Sequence, residues 1–154
     1  MLEKVSFYAF FHSKIVIVTF CGWLAAQIIK VIIGVMVEKR FNFKWFVGTG
    51  GMPSSHAAGV TALATAVGIQ EGTGTAIFVV ALMFAVIVIC DAQGVRRATG
   101  KQAEVLNKIL DDIYWRKQIQ EDRLKELIGH TPVQVFAGIA VGLATGFLFY
   151  SLIF

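Results

Sequence analysis

Two histidines in this chain stand beside groups that favour an anion. His56 follows two serines in the stretch GGMPSSHAA, and His130 stands two residues before a proline. Proline suits the first turn of a helix, because its missing N–H costs no hydrogen bond there. Pro53 and Pro132 therefore predict two helix starts, which present backbone N–H groups and partial positive charge to a phosphate. The two glycines that open the stretch let an anion approach the backbone.

Fixed positive charge accompanies the two histidines. Lys30 stands inside an apolar stretch, where a charge is costly enough to indicate a function. Arginine can hold two phosphate oxygens at once. The arginines placed near the ends of apolar stretches are Arg40, Arg96 and Arg97. This chemistry favours phosphate as the ligand.

Each of these residues also has an ordinary structural explanation. A lone histidine is often a hydrogen-bonded core residue. If the apolar stretches cross a membrane, Lys30 can extend its ammonium to the membrane surface. The arginines between the stretches can then set the orientation of the protein in the membrane. Asp91 can pair with a nearby arginine. The combination of two histidines, four cations and two helix starts favours an anion site over these separate explanations.

The composition of the chain is that of an integral membrane protein. Of its 154 residues, 56% are hydrophobic and 16% are charged, and the mean hydropathy is +0.71. A soluble domain carries about 25% charged residues. The length predicts one membrane-embedded domain over residues 1–154 and no second domain.

Four apolar stretches predict an all-α, polytopic transmembrane bundle with about four spans. They lie within about residues 13–37, from Pro53 to about Ile69, from about Thr75 to Cys90, and from Pro132 to Phe154. About 20 residues cross a bilayer, so the middle two stretches are short. A polar insertion at about residues 96–128 carries apolar residues at helical spacing. It predicts one or two amphipathic helices on the membrane or on the bundle.

Alternate crossing of the membrane brings four polar stretches to one face. They are the end of the first span, GGMPSSH, the residues from Asp91 to Arg97, and His130. All but three of the 14 lysines and arginines belong to this face. Short cytoplasmic loops are rich in these residues, which predicts a cytoplasmic or stromal active face in a plasma or organelle membrane. The net charge of +4 fits an anionic lipid surface better than nucleic acid.

The chain resembles the divergent branch of the type 2 phosphatidic acid phosphatase superfamily, whose wider membership includes vanadium-dependent haloperoxidases. Three ordered motifs carry the likeness across roughly residues 27–142: GGMPSSHAA, DAQGVRRATGKQAEVLN and GHTPVQVFAG. The resemblance implies an acid-phosphatase-like lipid phosphate phosphatase that forms a phosphohistidine intermediate. It implies no catalytic metal and no other cofactor. Its substrate would be a lipid or isoprenoid phosphate monoester drawn from the bilayer.

The resemblance assigns roles to individual residues. His130 matches the nucleophile and His56 the general acid, while Gln134 occupies the place of the acid that orients the nucleophile. The phosphate-binding residues that it implies are Lys30, Arg40, Ser54, Ser55 and one of Arg96 and Arg97, with Arg97 preferred. Asp91 and Glu126 are the candidate supporting acids.

The motifs depart from the family pattern in three places. Lys30 and Arg40 are ten residues apart, which exceeds the usual spacing, and the polar insertion separates the third-motif arginine from His130. An amide also replaces the orienting acid at Gln134. That amide favours a rival hypothesis, a headgroup-binding or assembly protein with little or no turnover.

A second rival is a metal-dependent hydrolase. Its ligands would be His56, His130 and Asp91, although these residues form no compact ligand motif. Oligomeric state does not follow from the sequence, but a homodimer is compatible with so small a bundle.

Overall fold

The computed structural model of the chain describes residues 7–39, 51–114 and 130–153. Within these ranges all regular structure is α-helical, which confirms the predicted all-α class. The helices are α1 (Phe7–Phe11), α2 (Lys14–Glu38), α3 (Ser55–Glu71), α4 (Ala76–Gln93), α5 (Val95–Tyr114) and α6 (Pro132–Ile153).

Three of the described helices, α2, α4 and α6, are long and apolar enough to cross a membrane. The remaining predicted span is α3, which has 17 residues and is therefore about 25 Å long. It contacts α2, α4 and α6, so most of its small side chains face protein. In the part of the chain that the structure describes, three apolar helices thus pack around one short central helix.

Glycines bring α6 very close to α3. A methyl group at Gly142 would lie 2.5 Å from the carbonyl oxygen of Ala58, and one at Gly146 would lie 2.6 Å from Cγ2 of Thr65. Gly138, one turn earlier, is equally tight against the start of α3. Glycines at this spacing allow helix backbones to approach in membranes. The order of these contacts shows that α3 and α6 run side by side in the same direction.

The other end of the bundle is held by a separate set of polar contacts. The hydroxyl of Tyr150, near the end of α6, lies 3.5 Å from Oε1 of Gln70, near the end of α3. Lys14, at the start of α2, places its ammonium 5.7 Å from the centre of the Tyr150 ring. Helix α2 therefore runs antiparallel to α3, and its last turns lie at the end where α3 and α6 begin.

Helix α5 follows α4 directly and confirms an amphipathic helix in the polar insertion. Val105, Leu106 and Ile109 are exposed on it, while Asn107 is buried. Residues 115–129, which include the rest of the insertion, lie outside the described residues. The exposed apolar stripe suits a helix at a membrane surface.

Candidate active site

The two predicted helix starts lie at the same end of the bundle. Helix α6 begins at Pro132, as predicted. Helix α3 begins at Ser55, two residues after Pro53, because the side chain of Ser54 caps the helix by accepting the Ala57 N–H at 3.4 Å. Serine is among the preferred residues for this capping position.

The two histidines stand at these starts and lie close to each other. The ring centres of His56 and His130 are 6.5 Å apart, and the ring planes are inclined by 55°. His130 is 3% exposed. A backbone hydrogen bond of 2.9 Å, from the Ser54 N–H to the Gln134 carbonyl oxygen, ties the two starts together. Both imidazoles therefore border one space at the amino ends of two helices.

Gln134 fixes the orientation of His130. Its Oε1 accepts the Thr131 N–H at 3.0 Å and lies 3.2 Å from Nδ1 of His130. The atom that faces a backbone N–H must be the amide oxygen, and this oxygen can only accept a hydrogen bond. Nδ1 of His130 therefore carries a proton. In the neutral ring, Nε2 is left with the lone pair, as a nucleophile requires.

The same contacts form a capping box at the start of α6. Thr131 Oγ1 accepts the Gln134 N–H at 3.4 Å, while the Gln134 side chain reaches back to the Thr131 N–H. A threonine followed three residues later by glutamine is the sequence signal of this motif. The histidine is thus oriented by a residue whose own position is set by the helix start.

Lys30 is buried beside the loop that leads into α3. Its side chain is 7% exposed, and its ammonium donates a hydrogen bond of 2.7 Å to Oε1 of Gln27. Gly51 adopts a φ of +79°, and a methyl group there would lie 3.3 Å from Cγ of Lys30. Sequence reasoning missed Gln27, although a polar residue one turn before a lysine in an apolar helix was an available signal.

Comparison with known proteins identifies the family. The sequence model of the Divergent PAP2 family matches residues 11–145. The chain belongs to the Divergent PAP2 family. It is also similar to the "Uncharacterized membrane protein YuiD" of Bacillus subtilis (strain 168), with 41% identity over 77% of this chain and 82% of that protein. No solved structure matches the chain.

Membership confirms the resemblance that the three motifs indicated. The divergent PAP2 protein described here is a phosphatase-like membrane protein at the level of its family. Its three apolar helices and its membrane-protein relative establish it as an integral membrane protein. The name of that relative places it in a membrane and states no activity.

The predicted hydroxyl ligands lie at the start of α3 in this divergent PAP2 protein. Ser54 and Ser55 are 0% and 4% exposed, and the Ser54 oxygen already accepts the hydrogen bond that caps α3. Both serines adjoin the histidine of the same turn. Their role as phosphate ligands stays a prediction.

The remaining predicted residues are placed less fully. Asp91 lies in the last turn of α4, at the same end of the bundle as the histidines, because α4 runs antiparallel to α3. Arg96 and Arg97 lie in the first turn of α5, but their side chains are outside the described part of the chain. Arg40 and Glu126 lie outside the described residues altogether. In the described ranges, no three His, Cys, Asp or Glu side chains cluster as a metal site would.

Two apolar grooves run along α3. The first, which we call the histidine groove, has a volume of about 500 Å³. It lies between α2, α3 and α4, and its wall includes Ser55 and His56. The second, the α6 groove, measures about 420 Å³ and lies between α3, α4 and α6. The described residues that line the α6 groove include none of the site residues.

Proposed function

We propose that this divergent PAP2 protein hydrolyses a lipid or isoprenoid phosphate monoester through a phosphohistidine intermediate, without a catalytic metal. One observation carries the proposal: the ring centres of two imidazoles lie 6.5 Å apart at the amino ends of two helices. Family membership supports the same reaction class. The proposal assigns the attack to His130 and the proton transfers to His56.

The first step forms the phosphoenzyme. Nε2 of His130 attacks phosphorus, the N–P bond forms, and the P–O bond to the lipid alcohol breaks. Protonated His56 gives its proton to the leaving oxygen. A nucleophile needs about 3–3.5 Å to the reacting atom, and a general acid needs about 2.6–3.2 Å to the leaving oxygen. The proposal places the phosphoryl group between the two rings, whose centres are 6.5 Å apart.

The second step releases inorganic phosphate. His56, now neutral, takes a proton from water, and the resulting hydroxide oxygen bonds to phosphorus as the N–P bond breaks. Nδ1 of His130 keeps its proton against Gln134 Oε1 throughout. His56 therefore finishes protonated and His130 neutral, which restores the starting state.

The surrounding charges act on the transferring phosphoryl group. Positioned cations and N–H donors are the main source of catalysis in phosphoryl transfer. The proposal assigns this role to the two helix starts and to Lys30, which is buried beside the loop that leads into α3, together with Arg40 and Arg97. The same positive charges disfavour the imidazolium that forms on His130. Gln134 is neutral, so it supplies no negative charge to offset them.

A lipid substrate and a cytoplasmic or stromal site complete the proposal. The site lies where apolar helices end, so a phosphate at the headgroup level can reach it while its tail stays in the bilayer. The concentration of lysine and arginine in the loops of this face supports the orientation.

The test is phosphate release by the purified protein from phosphatidic acid, phosphatidylglycerol phosphate and a polyprenyl phosphate, with and without chelator and vanadate. We expect release that chelator leaves unchanged and vanadate inhibits. His130→Ala should abolish it, and His56→Ala should lower kcat by about 10²–10⁴-fold, the usual contribution of general acid–base catalysis. His12→Ala is the matched control, since His12 lies at the opposite end of the bundle.

Two other outcomes would replace the proposal. Tight binding of lipid phosphates without release, unchanged in His130→Ala, would favour the headgroup-binding protein. Release that chelator abolishes and added metal restores would favour the metal-dependent hydrolase. Full activity in His130→Ala would remove the proposed nucleophile.

A further inference from the structure

The histidine groove connects the proposed phosphate position to the bilayer. Its wall follows α3 from Ser55 to Leu63 and α2 from Ile15 to Trp23. Each segment advances eight residues, so the groove is about 12 Å long at 1.5 Å per residue. One end of it is formed by His56, which belongs to the proposed site.

The wall of this groove is suited to hydrocarbon. Apart from the residues at the site end, its lining is aromatic and aliphatic, with one threonine and one glycine. The hydroxyl of that residue, Thr19, is bonded to the Ile15 carbonyl oxygen at 2.7 Å, so it makes no demand on a ligand. Phe10, Phe20 and Phe84 are half or more exposed along the rim, so the groove opens to the side of the bundle.

The α6 groove does not offer the same path. The first α3 residue in its wall is Thr61, five residues beyond His56 and about 7.5 Å further along the helix. Close packing of Gly138 and Gly142 on α3 separates it from the starts of α3 and α6. A chain attached to a phosphate between the two histidines would therefore meet the histidine groove first.

We infer that the hydrocarbon chain of a membrane-bound phosphate monoester lies in the histidine groove, against Trp23 and Val60, while its phosphate lies between His56 and His130. This inference rests on the proposed phosphate site and deepens it, since it gives the substrate a chain and a direction of approach. Val60 is one turn after His56 on the same face of α3. Binding of the phosphate headgroup and binding of the hydrocarbon chain are thereby coupled.

The test uses Trp23 as a reporter, because bromine atoms on a lipid chain quench a tryptophan that they touch. The full chain with Trp45→Phe and Trp115→Phe is placed in nanodiscs of unlabelled phosphatidylcholine, and dibrominated phosphatidic acid or dibrominated phosphatidylcholine is added. We expect phosphatidic acid to quench Trp23 at a mole fraction at least about ten-fold lower. The same preference in the His130→Ala variant shows binding in the absence of turnover.

A matched pair of substitutions locates the hydrocarbon chain of the lipid. Val60→Phe fills the histidine groove, and Val86→Phe makes the same change in the α6 groove. We expect the first to abolish the preference for phosphatidic acid and the second to retain it. Gly59→Leu is a second way to block the histidine groove, because the leucine side chain would fill the space beside Trp23. Its β-carbon would lie 3.5 Å from Cβ of Trp23, which is an ordinary contact distance.

The outcomes separate this inference from the proposed phosphatase. Equal quenching by both brominated lipids would mean bulk bilayer lipid only and would overturn the inference, even with phosphate release intact. Loss of preference in Val86→Phe but not in Val60→Phe would place the chain in the other groove and overturn it as well. A Val60-sensitive preference without phosphate release would support the groove while the phosphatase proposal fails.

Discussion

At the scale of single residues, Gln134 carries an amide where the resemblance to the family implies an orienting acid. It accepts a hydrogen bond from the Thr131 N–H and orients His130 through the same oxygen. A carboxylate at this position would do both and would also offset the charge on the phosphorylated ring. In the proposed reaction, the amide thus keeps the position and tautomer of His130 but provides no negative charge.

Replacing Gln134 by glutamate should raise the rate of the proposed reaction. Gln134→Glu keeps the capping box and places negative charge beside the imidazolium. We expect kcat for lipid phosphate hydrolysis to rise at least about ten-fold, which corresponds to about 1.4 kcal/mol of added transition-state stabilisation. Gln134→Leu, which removes the acceptor, should lower kcat. Steady-state phosphate release measures both, and a slower Gln134→Glu enzyme with unchanged melting temperature would contradict the role given to Gln134.

At the scale of helices, the sequence predicted the elements well because their signals are local. Pro132, Thr131 and the apolar run after them define α6, and the predicted start is confirmed. The start of α3 was placed two residues early, since proline alone does not reveal that Ser54 caps the helix. Which helix lies at the centre was not predictable from apolarity, because α3 is central through the smallness of its side chains.

Close packing of α6 on α3 predicts a sharp effect of adding one methyl group. Gly142→Ala would place a β-carbon 2.5 Å from a backbone oxygen of α3, where nothing can yield easily. Alanine alone would favour the helix by up to about 1 kcal/mol, but overpacking costs about 1–3 kcal/mol, so we expect a lower melting temperature. Gly74→Ala is the control, since a methyl group there meets nothing within 4 Å. A melting temperature in detergent that Gly142→Ala raises or leaves unchanged would contradict this packing.

At the scale of the whole molecule, the pairing of the two histidines was predicted by topology. Alternate crossing required the starts of α3 and α6 to share one face, and the observed distance between His56 and His130 agrees with that expectation. The sequence does not determine the distance itself, because it depends on how far α6 slides along α3. The glycine contacts set that register. The spacing of Gln27 and Lys30 is visible in the sequence, but the bond between them is not, since it depends on the rotamers of two long side chains.

The orientation of the molecule in the membrane can be measured with introduced thiols. After Cys21 and Cys90 are replaced by alanine, Gly74→Cys marks the turn between α3 and α4, and Lys101→Cys marks α5 on the proposed active face. In intact bacterial cells that produce the protein, we expect a membrane-impermeant maleimide to label the cysteine at position 74. The cysteine at position 101 should be labelled only after the cells are permeabilised, because loops rich in lysine and arginine lie on the cytoplasmic side. The reverse pattern, or equal labelling of both, would contradict the proposed orientation.

The glycine contacts of α6 also limit how this protein can evolve. Wherever Gly138 and Gly142 touch α3, neither partner has room for a larger side chain, so changes on the two faces are acceptable only in compensating pairs. The outward face of α6 carries no such restriction, and Phe136 and Phe147 on it are exposed. Sequence drift should therefore accumulate on the lipid side of the helix, while the inner seam stays nearly constant and preserves the alignment of the two imidazoles.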